Sequence, residues 1–514
     1  MQYIQGENRD QMKFSTLEDL INSDNAVRVI EAFVNALDMK RIGITENDLK
    51  SEGRPPFHAS VFLKLYMYGY YNGIRSSRRL ERECERNIEL QWLLEKRLPN
   101  YHSIADFRKN NGMTLKIVFK LFVLFLKEQD LIEGKIVATD GTKVRAQNSR
   151  KNNFSQSKIN RHLIYIENKM QEYISELDRN DKTENTPDKI KSVKLKMERL
   201  KKHKIKYELL QEELEKSGET QISTTDTDSK ALLVYGQVVE VSYNIQTSTD
   251  EKNKLIAGYQ TTNRNDRNAL SSIVIETKNT LGVNKLLTIN DKGYHNGREI
   301  QICEENNITT IVAYSQIVNS NGHGTKPEYM VDHFIYNKKT DTYKCPQGEI
   351  LKTKGTWHAK RREHFVNQFK KYRTPKCKEC PVKHHCTGRQ KGGREIERSE
   401  FADAVERNDK RYEDQQELYK KRQTICEHPF GTIKRQWGYN YTLLRGIKKV
   451  DGEMGIIFTV YNLKRAINIL GTEKLIEKLR HWKPNYRKVI GQKTKSTYFG
   501  ALCCMKKNEM KLAA

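Results

Sequence analysis

Lys135-Ile136-Val137-Ala138-Thr139-Asp140-Gly141-Thr142-Lys143 is the stretch on which the fold of this chain turns. A run of β-branched and small apolar residues that ends in a carboxylate predicts a buried strand delivering that acid to the edge of a sheet. Leu286-Leu287-Thr288-Ile289-Asn290 repeats the pattern and ends in Asp291. One such Asp is as often a turn or helix-capping residue. Two of them, each followed by glycine one or two positions on (Gly141 and Gly293), point to a shared site. Arg422-Gln-Thr-Ile-Cys-Glu427-His-Pro-Phe-Gly-Thr-Ile-Lys434 offers a third acid, Glu427, amid basic residues, although the residues alone do not separate it from Glu417. Carboxylates brought together repel one another, and hard divalent cations such as Mg²⁺ or Mn²⁺ relieve that repulsion. A pair of such ions can clamp the attacking and leaving oxygens of a phosphodiester. Metal-dependent phosphoryl transfer on DNA is the chemistry this pattern predicts.

The charge of the chain agrees. Of 514 residues, 92 are Lys or Arg and 65 are Asp or Glu, a formal net charge of +27. Such an excess favours a polyanionic partner, because each neutralised phosphate releases a condensed counterion. A ribosome-associated protein or a generic basic surface is the bland alternative. The length implies roughly two to four modules instead of one core. Met1 to Gly6 lacks the basic start and apolar centre of a secretory leader. The longest apolar stretch, Ile117 to Leu126, is broken by Lys120 and too short to span a bilayer. A cytoplasmic protein with no membrane partner is expected. Nine cysteines are too few for a disulfide framework at this length.

Outward from the first strand, residues 1–128 read as a helical N-terminal domain that binds DNA ends. Two of its helices flank the turn Tyr71-Asn72-Gly73-Ile74-Arg75, which fits a helix-turn-helix or an ordinary helical hairpin. Arg75, Arg78, Arg79 and Arg82 favour DNA contact there, and Lys143 and Arg145 set cations beside Asp140. Residues 129–154 begin the catalytic core. Steps of three and four in Leu163, Ile166, Met170, Ile174 and in Val193, Met197, Leu200 predict a helical hairpin insert over 155–218. Its expected role is a spacer, a DNA-backbone arm or a dimer contact. Asp226 and Asp228 read as a loop, near DNA but not as ligands. The core resumes over 219–315 with a hairpin and alternating strands and helices, which predicts a mixed sheet covered by helices. Residues 316–400 form an insert whose Cys345, Cys377, Cys380 and Cys386 fit a closed Cys₄ zinc site, with four free thiols as the alternative. Helices over 401–475 carry Glu427. Residues 476–514 make a basic tail, loosely ordered after Lys483. Pro429 poses a difficulty, since an interior helical proline costs about 3 kcal/mol. Either a helix begins near Pro429 or the helix kinks there.

The combination resembles the DDE transposases of bacterial insertion sequences, in the group with a helical N-terminal domain and a four-cysteine insert before the final Glu. The matching stretches are Thr139 to Lys143, Asp291-Lys292-Gly293-Tyr294, and Tyr419-Lys-Lys-Arg422 leading to Glu427 and Lys434. The resemblance covers about residues 10 to 470 and implies an RNase H-like core in which Asp140, Asp291 and Glu427 hold two Mg²⁺ (or Mn²⁺) ions. It further implies that Tyr419, Arg422 and Lys434 contact DNA ends near the cleaved phosphate. One departure stands out: four residues separate Arg422 from Glu427, where the wider family has three. The implied activity is binding of terminal inverted repeats, cleavage at the element ends and joining of the 3′-hydroxyl to target DNA, by a homodimer on double-stranded DNA. The alternatives are a stand-alone metal-dependent nuclease and a catalytically inactive zinc protein that binds DNA.

Overall fold

Helices precede the first strand. The computed structural model describes residues 10–12, 14–44, 55–182, 187–234, 238–314, 325–362 and 365–490. Its first helices are α1 (Ala26–Asn35), α2 (Ala59–Tyr71), α3 (Ser77–Arg86), α4 (Ile88–Leu93), α5 (Tyr101–Asn110) and α6 (Gly112–Glu128). Asn25, Asn87 and Asn100 cap α1, α4 and α5, their side chains accepting from backbone N–H groups that have no partner within the helix. α2 and α6 are apolar around most of their circumference and accordingly buried.

Next come β1 (Ile136–Arg145), β2 (Asn153–Ser155), α7 (Gln156–Lys182), α8 (Pro187–Ser217), β3 (Gln221–Ser223), β4 (Lys230–Val234), β5 (Val238–Asp250), β6 (Ile256–Thr262), α9 (Leu270–Leu281), β7 (Leu286–Asn290), α10 (Gly297–Glu305) and β8 (Ile308–Val312). The main sheet runs β4-β5-β1-β7-β8, with β6 also paired to β5. β1, β7 and β8 are parallel, whereas β5 runs antiparallel to β1, β4 and β6. This mixed α/β arrangement is consistent with an RNase H-like core. The hairpin insert is present as α7 and α8, pinned at its base by Phe154, Ile159, Leu210 and Leu214.

The cysteine insert holds a second sheet that the sequence reading did not anticipate. β9 (Ile335–Asn337), β10 (Thr342–Lys344), β11 (Ile350–Arg362), β12 (Phe365–Arg373), the short α11 (Lys383–Cys386) and β13 (Ile396–Ser399) include five antiparallel strands in the order β13-β12-β11-β10-β9. Its small core is Phe334, Tyr343, Leu351, Tyr372 and Ile396.

The chain closes with α12 (Ala402–Asp414), α13 (Gln416–Phe430), a π-helical turn at Gly431–Gln436, α14 (Ile447–Leu470), α15 (Thr472–His481) and α16 (Tyr486–Ile490). The helices expected over 401–475 are divided: one break falls at Gln415 and another spans 437–446. Pro429 lies inside α13, and the chain opens into the wider π turn directly after it, with Trp437 N donating to Thr432 O. The part of the expected loose tail beyond residue 490 lies outside the described residues. α14 crosses α6 at a glycine pair: a Cβ on Gly452 would stand 2.3 Å from Gly112 Cα. The N-terminal helices therefore share one apolar core with α14 and the β5–β6 face. Among the described residues no helix is long and apolar enough to cross a membrane.

Candidate active site

β1 separates two chemistries by the period-two alternation of a strand. Ala138, Asp140 and Thr142 face α13 and the π turn, where Ala138 packs on Ile425 and Cys426. Val137, Gly141 and Lys143 face the other side. β1 and β7 run parallel with Thr139 opposite Asn290, so Asp140 and Asp291 follow as neighbours on adjacent strands. Asp140 Oδ1 accepts from Gly141 N at 2.8 Å, and Asp291 Oδ1 from Lys292 N at 2.7 Å.

Burial raises the Asp140 carboxyl, the Arg422 guanidinium pulls it down, and Asp266 and Asp291 push it up, the balance lying at about 6. Arg422 Nη1 stands 3.6 Å from Asp140 Oδ2 and also feels Asp291. Tyr419 lies 5.9 Å from that guanidinium and packs edge-on against Tyr412.

Four residues on from Arg422, the buried Cys426 faces the acids, its thiol pushed up by burial and by Asp140. Three residues separate it from Arg422, the spacing that the wider family gives to the Glu. Glu427 is one residue further, about 100° round the helix. It is exposed, and its Oε1 accepts from Gln423 Nε2 at 2.9 Å. Among the described residues, no three His, Cys, Asp or Glu side chains are gathered closely enough to hold a metal ion. The structure thus brings Asp140, Asp291 and Arg422 together and leaves Glu427 outside that group. Lys434 returns to β1, donating from Nζ to Thr142 Oγ1 at 3.0 Å and to Lys143 O at 2.9 Å.

Behind β1 lies a polar cluster absent from the sequence reading. Asp266 Oδ1 accepts from Asn244 Nδ2 at 2.8 Å and Gln246 Nε2 at 2.7 Å, and Lys143 Nζ pairs with Oδ2 at 3.1 Å. Burial opposes the charge on Asp266, but these donors together hold its carboxyl below the ordinary range. Tyr294 hydroxyl donates to Gln246 Oε1. A Cβ on Gly141 would come within 2.3 Å of Asp266 Oδ1, so a larger residue there would displace that carboxylate. The available signal was the buried polar series Ser242, Asn244, Gln246, Ser248, alternating with Val241, Tyr243 and Ile245 over its first half.

The remaining expectations divide. Arg145, Arg78 and Arg79 are exposed, with Arg145 near Tyr441 and Arg78 over Tyr101. Arg75, expected to touch DNA, is instead buried: it pairs with the wholly buried Glu453 at 2.8 Å and donates to Tyr441 O, which commits it to the core. Asp226 and Asp228 accept from Gly446 N and Ile447 N, serving the start of α14. Cys345, Cys377, Cys380 and Cys386 are free thiols in one neighbourhood. Burial raises Cys377 and Cys386, and Cys345 and Cys380 add to the rise in both.

Two family models match the chain: "Transposase domain (DUF772)" over residues 15–110 and "Transposase DDE domain" over residues 344–467. The second match contains Arg422, Glu427 and Lys434. Asp140 and Asp291 lie outside both. No curated protein and no solved structure matches the chain.

Proposed function

Since the chain is a DDE transposase of the insertion-sequence kind, a family that implies DNA cleavage and strand transfer, we propose that it binds the terminal inverted repeats of its element, frees a 3′-hydroxyl at each end and joins it to target DNA. The observation that carries the site assignment is the parallel β1–β7 pairing. It sets two carboxylates side by side, one of them raised to about 6. That donor set, hard oxygens under mutual repulsion with an arginine as counter-charge, fits Mg²⁺ or Mn²⁺. Asp140 and Asp291 would hold the metal, and Glu427, exposed on α13, would need that helix to turn by about 100° to join them. Bound there, a pair of divalent ions activates the attacking oxygen and offsets charge on the phosphate.

The chain's own residues then position DNA. Arg422 and Tyr419 line the approach to the Asp pair, and Lys434 braces the π turn against β1 beside Lys143. Arg145, Arg78 and Arg79 offer exposed cations for backbone phosphates. Two ends require two protomers, so a homodimer on DNA is the working assembly. The four cysteines have the type and spacing of a structural zinc shell. Metal analysis that finds no zinc, together with unchanged stability of Cys377→Ser and Cys380→Ser, would remove that role.

The decisive test supplies a pre-cleaved end and a target plasmid with Mn²⁺. Joined product is expected from the wild type and none from Asp140→Ala or Asp291→Ala. Cleavage without joining would leave a nuclease, and near-wild-type product from either variant would overturn the site.

A further inference from the structure

The α7–α8 hairpin carries a charge pattern that the active site does not use. Between Lys191 and Lys206, α8 has eight Lys or Arg residues and a single acid, Glu198. Toward its base the sign reverses with Glu208, Glu212, Glu213 and Glu215. Since the apolar anchor of the hairpin includes Leu210 and Leu214, the cations lie on the far half, with Lys191 about 35 Å along the helix from Leu214.

Lys191, Arg199, Lys202 and Lys206 are separated by steps of eight, three and four. At about 100° per residue they fall within an arc of about 80°, a stripe about 22 Å long. All four are exposed, and none has a carboxylate partner among the described residues. By contrast, Lys204 pairs with Glu167 at 3.2 Å and Lys196 lies over Tyr173, contacts that tie α8 to α7. The stripe is therefore free of the seam that holds the hairpin together.

A duplex presents one phosphate charge about every 1.7 Å of axis, so a stripe of this length matches a continuous row of phosphates. A second copy of the chain fits less well, although Leu195, Ile205 and Leu209 are also exposed on α8, because lysine is depleted in protein–protein contacts. We propose that this outer stripe of α8 is a docking arm for the phosphate backbone of duplex DNA, away from the metal site.

The proposal rests on the chain acting on DNA, but its test needs neither metal nor element ends. Full-length protein is titrated by fluorescence anisotropy against a labelled duplex of roughly 30 base pairs without an inverted repeat, in EDTA, from about 50 to 200 mM salt. The variant combines Lys191→Gln, Arg199→Gln, Lys202→Gln and Lys206→Gln. At about 0.9 per phosphate contact, the slope of log K against log salt should become shallower by about 3 to 4. The charge-preserving set Lys191→Arg, Arg199→Lys, Lys202→Arg and Lys206→Arg should keep the wild-type slope. If the fourfold variant does not fold, the pairs Lys191→Gln with Arg199→Gln and Lys202→Gln with Lys206→Gln should each lower the slope by about 2. An unchanged slope overturns the proposal. So does loss of self-association in light scattering at constant slope, which would assign the stripe to a second copy. Failure of cleavage in the separate plasmid assay leaves this binding result untouched.

Discussion

Two arginine–carboxylate pairs in this molecule do opposite work. Arg75–Glu453 closes at 2.8 Å with Glu453 wholly buried, and the Glu453 oxygens also accept from Leu443 N and Leu444 N. Arg75 donates to Tyr441 O and lies 4.8 Å from the rings of Tyr439 and Tyr441. Arg422–Asp140 is looser at 3.6 Å, with side chains 19% and 30% exposed, and Asp140 also meets the charges of Asp266 and Asp291. A carboxylate whose oxygens are all committed fixes a fold. One with spare lone pairs and like-charged neighbours is available to a cation.

Asp140→Ala attacks the loose pair and should lower end cleavage by on the order of 10³-fold or more. Duplex binding should stay near wild type, read by gel shift beside a cleavage time course. Residual cleavage close to wild type would erase the distinction between the pairs. Glu453→Ala strikes the committed pair and leaves Arg75 buried without its counter-charge. It should cost about 3–5 kcal/mol of unfolding free energy in urea. Asp140→Ala should cost little in the same titration, because it removes a repelled charge. Equal losses would mean that both pairs serve the fold.

Gly141→Ala probes the ground between them. A Cβ would meet Asp266 Oδ1 at 2.3 Å and Gln246 Nε2 at 2.5 Å, so these side-chain ends must move apart and lose the hydrogen bond they share, at about 1–3 kcal/mol with reduced cleavage. Full stability would show that the Asp266 cluster yields freely.

The smallest effect is the most specific. Asp140 titrates at about 6 in place of 3.8. Mn²⁺ binding followed by paramagnetic resonance should therefore weaken as pH falls through about 6, since a ligating carboxylate must be ionised. Arg422→Gln should move that midpoint upward, because Arg422 favours the ionised form. The metal-free protein binds the proton more tightly folded than unfolded. This group thus makes it lose stability as pH rises from 3.8 through about 6. A midpoint unmoved by Arg422→Gln would sever Arg422 from the site.

The strands that lead to Asp140 and Asp291 were legible because β-branched runs buried on both faces leave a plain trace, although β1 runs on past Asp140 to Arg145. The α7–α8 hairpin was legible from its three- and four-residue steps. The sheet of β9 to β13 was not: β11 reads Ile-Leu-Lys-Thr-Lys-Gly-Thr-Trp-His-Ala-Lys-Arg-Arg, and little apolar alternation marks a strand whose side chains are mostly exposed. Arg75 was misread because a basic residue beside a turn says nothing of a glutamate 378 positions away. The face presented by Glu427 hangs on one residue of helical register. The resemblance chose it over Glu417 and could not say that Cys426 would take the inward position. Asp266 went unseen because Lys143, which pairs with it, lies 123 positions away.

The burial of α14 sets the order in which this enzyme can come into being. Residues 447–470 fill the space between α6 and β6, and Asp226 and Asp228 wait for their N–H donors until that helix arrives. A ribosome that has released only the two aspartate strands holds a chain with an open greasy cleft and no finished catalyst. A premature stop ahead of α14 should therefore yield an aggregating fragment and not a partly active nuclease.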